Sequence, residues 1–331
     1  MTRLVVTDHI FANLDHERAA ATALETELNV FDIDTEAAAI EALHGADVAL
    51  VNFAPITDAV LSGMNAGAVL VRYGIGYDNI DLEAADRYGI SVCNVPDYGG
   101  DTVADHAVTL ALMLTRKILH FDRVLGAGDW ISPPALAPIL ASAQTTVGLL
   151  GCGRIGFAVA RRLRPFGFKV IAFDPFAQPD AAAAHGITLV SLDELFRQSN
   201  LISIHAPATT DTHKVVNAGN LAKMRPGSFI VNTSRGALVD QDAVLDALAS
   251  GRLAGVGLDV FDPEPMPVDH GLRFHPNAIL TPHAAFYSEQ SLQNLQRLAS
   301  EEALRAGRGE TLRCLINDPE PHALPHDSLA E

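Results

Sequence analysis

The sequence predicts an α/β protein built on two doubly wound parallel sheets, and three observations carry that prediction. Short β-branched or apolar runs take turns with helix-like runs along most of the chain, the pattern of parallel strands joined by crossover helices. These strand-like runs fall into two series with a helix between them, and 331 residues of which 48% are apolar suffice for two cores. A glycine-rich turn directly after a strand opens the second series.

The first series comprises Leu4 to Thr7, Val48 to Asn52, Val69 to Tyr73 and Ser91 to Val95, each followed by a polar or glycine turn. Together they predict one small open sheet. Next comes a helix whose apolar face reads Val103, Ala107, Leu110, Leu114 and Ile118, starting at Asp101 or Thr102 with Asp105 placed as the acid of a capping box. A core helix and a domain junction are both compatible with it. The stretch from Gly126 to Gln144, with Trp130, Pro133, Pro134 and Pro138, reads as a loop or arm.

The second series holds Thr146 to Leu150, Lys169 to Phe173, Leu201 to His205, Phe229 to Thr233, Gly255 to Val260 and Ile279 to Thr281, enough for one doubly wound sheet. Beyond it, Ser288 can cap a helix carrying Leu292, Leu295, Ala299 and Ala303 on one face and stopped at Gly307; this helix can return to the first sheet. The tail after Asn317 reads as loosely ordered.

Charge narrows the function. With 23 Lys and Arg against 40 Asp and Glu, the formal charge of −17 repels phosphate backbones and anionic membranes. No apolar run approaches the ~18 residues of a membrane span, and the N-terminus lacks a secretory pattern, so a cytoplasmic protein is expected. Cys93, Cys152 and Cys314 have no CxxC spacing, which argues neither a disulfide framework nor a thiolate metal site and points to a reducing compartment. His205, His213, His270 and His283 form no HExxH or comparable spacing, and no metal is expected.

The run from Val147 to Gly156 places GxGxxG after a strand and before a helix bearing Ile155, Val159 and Leu163. Gly151 permits the tight turn, Gly153 lets backbone approach a pyrophosphate, and Gly156 lets the helix pack closely on the strand. Asp174 ends the next strand, where a carboxylate accepts from a ribose 2′-hydroxyl and repels a 2′-phosphate. Residues 175–179 supply no Arg or Lys, so NAD is favoured over NADP. A glycine turn in an unrelated α/β protein would share the three glycines but not this context.

Further on, Arg235, Glu264 and His283 each follow a strand end, and strand carboxyl ends open into the ligand crevice of a doubly wound sheet. Reduction of a 2-oxo acid needs these types: a His to give the proton, a carboxylate to fix its tautomer, and an Arg to grip carboxylate and carbonyl in a planar fork. Singly, each could be an ordinary surface or structural residue.

The motifs GCGRIG at 151–156, NTSRGALVDQDAVLDALASGRLAGVGLDVFDPEP at 232–265 and TPHAAFYSEQS at 281–291 make the chain resemble the D-isomer-specific 2-hydroxyacid dehydrogenase family over essentially its whole length. The resemblance implies a flavodoxin-like substrate domain, 1–98 and 289–331, into which an NAD-binding Rossmann domain, 99–288, is inserted. It also implies domain closure over a cleft that brings the 74–76 loop toward Arg235, and a homodimer with Trp130 and the proline-rich arm as candidate contacts. Arg235 matches the family's catalytic Arg, Glu264 its carboxylate partner and His283 its acid/base. Candidate cofactor contacts are Gly151, Gly153, Arg154, Ile155, Gly156, Asp174, His205, Pro207, Thr233, Ser234, Arg235, Asp259, His283 and Ala285. Candidate substrate contacts are Arg72, Tyr73, Gly74, Ile75 and Gly76, where backbone amides would take the carboxylate, with Arg235, His283 and Phe286.

The end of the chain's last motif and the start of the Arg72 loop look most like the C-terminal-binding-protein branch, which includes NAD-sensing corepressors. That branch carries a Trp at the position of Phe286, so Phe leaves a different pocket wall. Formate dehydrogenases of the family carry a Gln at the position of Glu264, which disfavours that chemistry here. The expectation is therefore NAD-dependent reduction of a small 2-oxo acid of the glyoxylate or hydroxypyruvate kind. A corepressor-like binding protein and a short phosphoglycerate dehydrogenase stay open as alternatives.

Overall fold

The computed structural model of the protein describes residues 2–317 and 319. The chain divides into two compact units, Gly100–Tyr287 and the residues before and after it in sequence. The tail expected to be loosely ordered lies, Pro319 aside, outside the described residues.

The first unit is a five-stranded parallel sheet of β1 (Leu4–Val6), β2 (Leu28–Val30), β3 (Val48–Val51), β4 (Val69–Arg72) and β5 (Ser91–Cys93), in the order β2-β1-β3-β4-β5. That is the order of the flavodoxin-like sheet. Strand side chains alternate between faces, so neighbouring residues enter different cores. Leu4, Val6, Leu50 and Val71 pack on one face with Leu295, Ala299 and Ala303. On the other, Val5, Ala49, Val51 and Leu70 meet Ala39, Leu43, Val60 and Leu61. Each such fully buried Leu or Val stabilises the fold by about 1.5–3 kcal/mol.

Leu295, Ala299 and Ala303 belong to the helix Glu289–Gly307, which starts at a capping box between Ser288 and Ser291. The expected return of this last helix to the first sheet is what the packing shows. Strand β2 was not anticipated. Its three residues, LNV, form a short partly exposed edge without an apolar run to signal it.

The second unit is a seven-stranded parallel sheet of β6 (Thr146–Leu150), β7 (Lys169–Phe173), β8 (Thr188–Leu189), β9 (Leu201–Ile204), β10 (Ser228–Asn232), β11 (Leu253–Leu258) and β12 (Ala278–Leu280). Its order is β12-β11-β10-β9-β6-β7-β8. The chain runs outward from β6 in one direction and returns to β9 to run in the other, so the switch point lies between the carboxyl ends of β6 and β9. The sequence signalled six of the strands; the two-residue β8 is too short to show a pattern.

The helix Gly100–Thr115 packs across β11, where Gly255 and Gly257 leave room for Leu110 and Leu114. Two details differ from expectation. The helix begins at Gly100, so Asp105 is its sixth residue, beyond the position of a capping-box acid, and its carboxylate accepts from Arg162 Nε at 2.6 Å, tying this helix to the helix Arg154–Leu163. Ile118 does not continue the apolar face, because Lys117 takes a left-handed conformation (φ 52°) and Ile118 starts a new helix, Ile118–Gly126, with half its surface exposed.

Candidate active site

The glycine turn after β6 is shaped by close backbone approach. Gly151 has φ +97°, a region that disfavours side chains, and a Cβ there would stand 2.6 Å from the His205 carbonyl carbon. A Cβ at Gly156 would stand 2.5 Å from the Gly151 carbonyl oxygen. Gly153 is different: nothing lies within 4 Å of where its Cβ would be, so its backbone faces open space at the first turn of the helix Arg154–Leu163.

Asp174, just past β7, accepts from the Cys152 amide at 2.8 Å through one carboxylate oxygen and from the Phe176 amide at 2.8 Å through the other. The acid is thereby fixed against the glycine turn. Ile155 is partly buried on the first turn of the helix, and Arg154 is exposed beside it. Across the switch point, His205 pairs its Nε2 with Ser203 Oγ at 2.8 Å. Burial lowers its imidazole to about 4, so it stays neutral near pH 7. Pro207 is exposed two residues on.

Thr233 stands just past β10 with its Oγ1 buried and, among the described residues, without a hydrogen-bond partner. A buried unpaired hydroxyl is costly unless a ligand completes it. An open glycine backbone at a helix start, an acid at the end of the next strand and this orphaned hydroxyl fit a dinucleotide.

Arg235 is held in extended backbone by Asn232, whose Nδ2 donates to the Arg235 carbonyl at 2.8 Å and whose Oδ1 accepts from the Ser234 amide at 3.0 Å. Ser234 Oγ donates to the Ala206 carbonyl at 2.6 Å, and Arg235 Nη1 to the Ser234 carbonyl at 2.7 Å. Glu264 and His283 meet directly: His283 Nδ1 lies 2.7 Å from Glu264 Oε2, with about a third of each side chain exposed. The Phe261 amide donates to Glu264 Oε1 at 2.8 Å. Partial burial opposes the charged form of Glu264. The hydrogen bonds from His283 and the Phe261 amide, with the charges of His283 and Arg235, outweigh it and hold the carboxyl below its ordinary range. Phe286 sets its ring edge-on to His283, centroids 6.2 Å apart.

His283 has φ +52°, an uncommon conformation for a residue with a side chain. Its amide donates to the Asp259 carbonyl at 2.7 Å, and the next two amides, Ala284 and Ala285, donate to the Asp259 carboxylate at 2.8 and 2.9 Å. Asp259 and Ala285 were singled out as cofactor contacts. Both are buried, and what the carboxylate does here is hold the His283 loop. Sequence reading missed Asn232, which no local periodicity marks; its side-chain oxygen closes an Asx turn on the Ser234 amide two residues on.

In the first unit, the loop after β4 turns Tyr73 inward: its ring is buried, its hydroxyl donates to Glu17 Oε1 at 2.7 Å, and its amide donates to the Val51 carbonyl at 2.7 Å. The Gly74 amide is likewise used, by the Arg72 carbonyl at 2.9 Å. Side-chain alternation explains it, because Tyr73 continues the inward row of Val69 and Val71. Arg72 donates to the Tyr73 carbonyl and lies 5.9 Å from the centre of the Phe53 ring. Ile75 and Gly76, partly exposed, follow it.

Among the described residues no helix is long and apolar enough to cross a membrane, and no cluster of three His, Cys, Asp or Glu side chains is placed to hold a metal ion.

Residues 108–285 match the model of the D-isomer specific 2-hydroxyacid dehydrogenase NAD binding domain. A glyoxylate reductase of Korarchaeum cryptofilum is 35% identical over 267 residues, 80% of each chain. A D-3-phosphoglycerate dehydrogenase of Bacillus subtilis is 33% identical over 92% of this chain but only 56% of that enzyme. Among solved structures, a glyoxylate reductase from Paecilomyes thermophila superposes with a TM-score of 0.86 at 29% identity, covering 95% of this chain and 98% of that one. The chain belongs to the D-isomer-specific 2-hydroxyacid dehydrogenases, and it is an NAD-dependent oxidoreductase acting on the CH–OH group.

Proposed function

We propose that this enzyme reduces a small 2-oxo acid of the glyoxylate or hydroxypyruvate kind to its D-2-hydroxy acid, with His283 as proton donor, Glu264 as its carboxylate partner and Arg235 as the anchor of the substrate. The observation that carries this reading is the 2.7 Å pair of His283 Nδ1 and Glu264 Oε2. With Nδ1 committed to the carboxylate, Nε2 is the nitrogen left to give a proton. Glu264, kept ionised, favours the imidazolium that must be present before transfer.

NAD, when bound, supplies the hydride that reaches the carbonyl carbon. The residues proposed to hold it are Gly151, Gly153, Arg154, Ile155, Gly156, Asp174, His205, Pro207, Thr233 and Ser234. As negative charge grows on the carbonyl oxygen, the Arg235 guanidinium stabilises it and His283 Nε2 protonates it, giving the hydroxyl. For the substrate carboxylate we propose the backbone amides of Ile75 and Gly76, with Arg72 nearby.

Two residues bear on substrate choice. The Phe286 ring stands edge-on to His283, where it would form one wall against the substrate's side chain. In the loop 72–81 Arg72 is the one cation, and its guanidinium is engaged by the Tyr73 carbonyl and the Phe53 ring, which weighs against a phosphorylated substrate. A corepressor-like binding protein would not need the His283–Glu264 pair.

The reading includes a homodimer joined through the arm. Trp130 is 89% exposed, and Phe121, Leu125, Ile131 and Pro133 line with it an apolar groove of about 660 Å³. Exposed apolar surface of this kind marks an interaction site. A cytoplasmic location accords with three free cysteines, Cys93, Cys152 and Cys314.

The deciding experiment is NADH oxidation with glyoxylate, hydroxypyruvate, pyruvate and 3-phosphohydroxypyruvate, on the protein and on His283→Ala. The expected result is turnover with the small unphosphorylated acids and a loss of roughly 10²- to 10⁴-fold in the variant, with NADH affinity kept. Full turnover by His283→Ala would overturn the assignment.

A further inference from the structure

We infer that His106, on the helix Gly100–Thr115, is a positioning residue for His283, acting through Thr281 and Asp259; the inference rests on the proposed role of His283. His106 Nε2 lies 3.0 Å from Thr281 Oγ1 and 3.8 Å from Asp259 Oδ1. Thr281 Oγ1 in turn donates to that same Asp259 oxygen.

The direction of each bond follows from what the groups can do. An ionised carboxylate only accepts, so the single hydroxyl proton of Thr281 goes to Asp259. The Thr281 oxygen has then only lone pairs to offer, and whatever approaches it must donate. His106 therefore carries a proton on Nε2. The chain of donors runs from His106 to Thr281 to Asp259, and it ends on the carboxylate that takes the Ala284 and Ala285 amides.

That carboxylate is almost wholly buried, with a side-chain exposure of 1%. A buried carboxylate needs donors on its lone pairs to be satisfied and held in place. Its two backbone donors are the residues that follow His283, and its own carbonyl takes the His283 amide. His283 is thus gripped on both sides of a φ of +52°, a conformation that its surroundings must impose. His106 reaches this clamp from a different element, with no contact to the reacting groups required. It completes the hydrogen bonding of Thr281 and adds positive polarity beside Asp259.

The test compares His106→Ala, His106→Gln, Thr281→Val and the double variant His106→Ala/Thr281→Val. The amide of Gln can place a donor near the position of Nε2. One readout is kcat, KM for the 2-oxo acid and the Kd of NADH; the other is hydrogen exchange of the 281–286 segment. In His106→Ala, kcat should fall roughly tenfold, as loss of one hydrogen bond to a polar network implies, with the Kd of NADH unchanged and faster exchange in the segment. His106→Gln should recover most of kcat and slow exchange again. The double variant should be no worse than Thr281→Val alone, because both act through one path. Unchanged exchange and kcat in His106→Ala, no recovery by Gln, or additive losses would each overturn the inference. Exchange needs no turnover, so it judges the clamp even if His283→Ala were to retain full activity and the catalytic assignment failed.

Discussion

The Phe261 carbonyl occupies the space that a side chain at Gly236 would need. A Cβ on Gly236 would lie 1.9 Å from both the carbonyl carbon and oxygen of Phe261. Gly236 follows Arg235, and the Phe261 amide holds Glu264 Oε1, so this glycine sets how near the Arg235 segment comes to the Glu264 segment. The clash is with backbone, which no rotamer change can relieve. Gly236→Ala is therefore expected to lower kcat/KM by about 10²-fold, since a displacement of about 1 Å at a reacting group has that effect. The strain should also cost about 1–3 kcal/mol of stability, as overpacking does. Steady-state kinetics and urea unfolding of the variant would measure both, and wild-type values would mean that the two segments are not held together by this contact.

Asp174 is expected to exclude NADPH. Its carboxylate is fixed by the Cys152 and Phe176 amides, so it cannot swing away from a 2′-phosphate. Like charges at hydrogen-bonding distance repel by about 1 kcal/mol in water and more in a partly buried site. Asp174→Asn keeps an acceptor oxygen for one of the two amides and removes the charge. Its ratio of NADPH to NADH dissociation constants should drop by roughly tenfold or more, read by fluorescence titration. A ratio that does not change would assign the discrimination elsewhere.

How far the sequence discloses this site depends on whether the determinants are local. The glycine turn, Asp174 and the strand ends carrying Arg235, Glu264 and His283 can be read directly, because each is a short pattern next to a strand. The 2.7 Å pairing of His283 and Glu264 joins residues 19 apart and follows from no spacing rule. Tyr73 is instructive: it reads as part of the loop 72–76, yet the alternation of Val69, Val71 and Tyr73 carries its ring inward. His106 gave no local signal at all, since its partner Thr281 is 175 residues away.

The buried Tyr73 hydroxyl defines a stability prediction. Glu17 is fully buried and takes donors from Tyr73 at 2.7 Å and from Gln296 Nε2 at 2.8 Å. Burial, then the charge and hydrogen bond of Glu17, push the phenol well above its ordinary value, so it remains a donor at any working pH. Tyr73→Phe leaves the carboxylate one donor short without changing packing volume much. The loss should be about 1–3 kcal/mol, the usual penalty for an unpaired buried polar group. Removing the carboxylate as well, in Glu17→Gln/Tyr73→Phe, should be less destabilising than the sum of the two single changes, and additivity in denaturant unfolding would show that the two groups are not coupled.

Acid should weaken the protein through Glu264 in a defined window. Its folded-state value lies below its ordinary value of 4.5, so folding favours the ionised form, and that contribution is complete above about pH 4.5. As pH falls through the folded value the proton binds, the carboxylate ceases to hold His283, and the contribution is lost. Glu264→Gln cannot titrate. The melting temperature of the protein relative to that variant should therefore decline as pH is lowered from about 5 to about 3. Glu264→Gln should also lower kcat by roughly tenfold to a hundredfold at neutral pH and displace the pH optimum, because the imidazolium form of His283 loses its counter-charge. A melting difference flat across the acid range, together with an unmoved optimum, would separate Glu264 from His283.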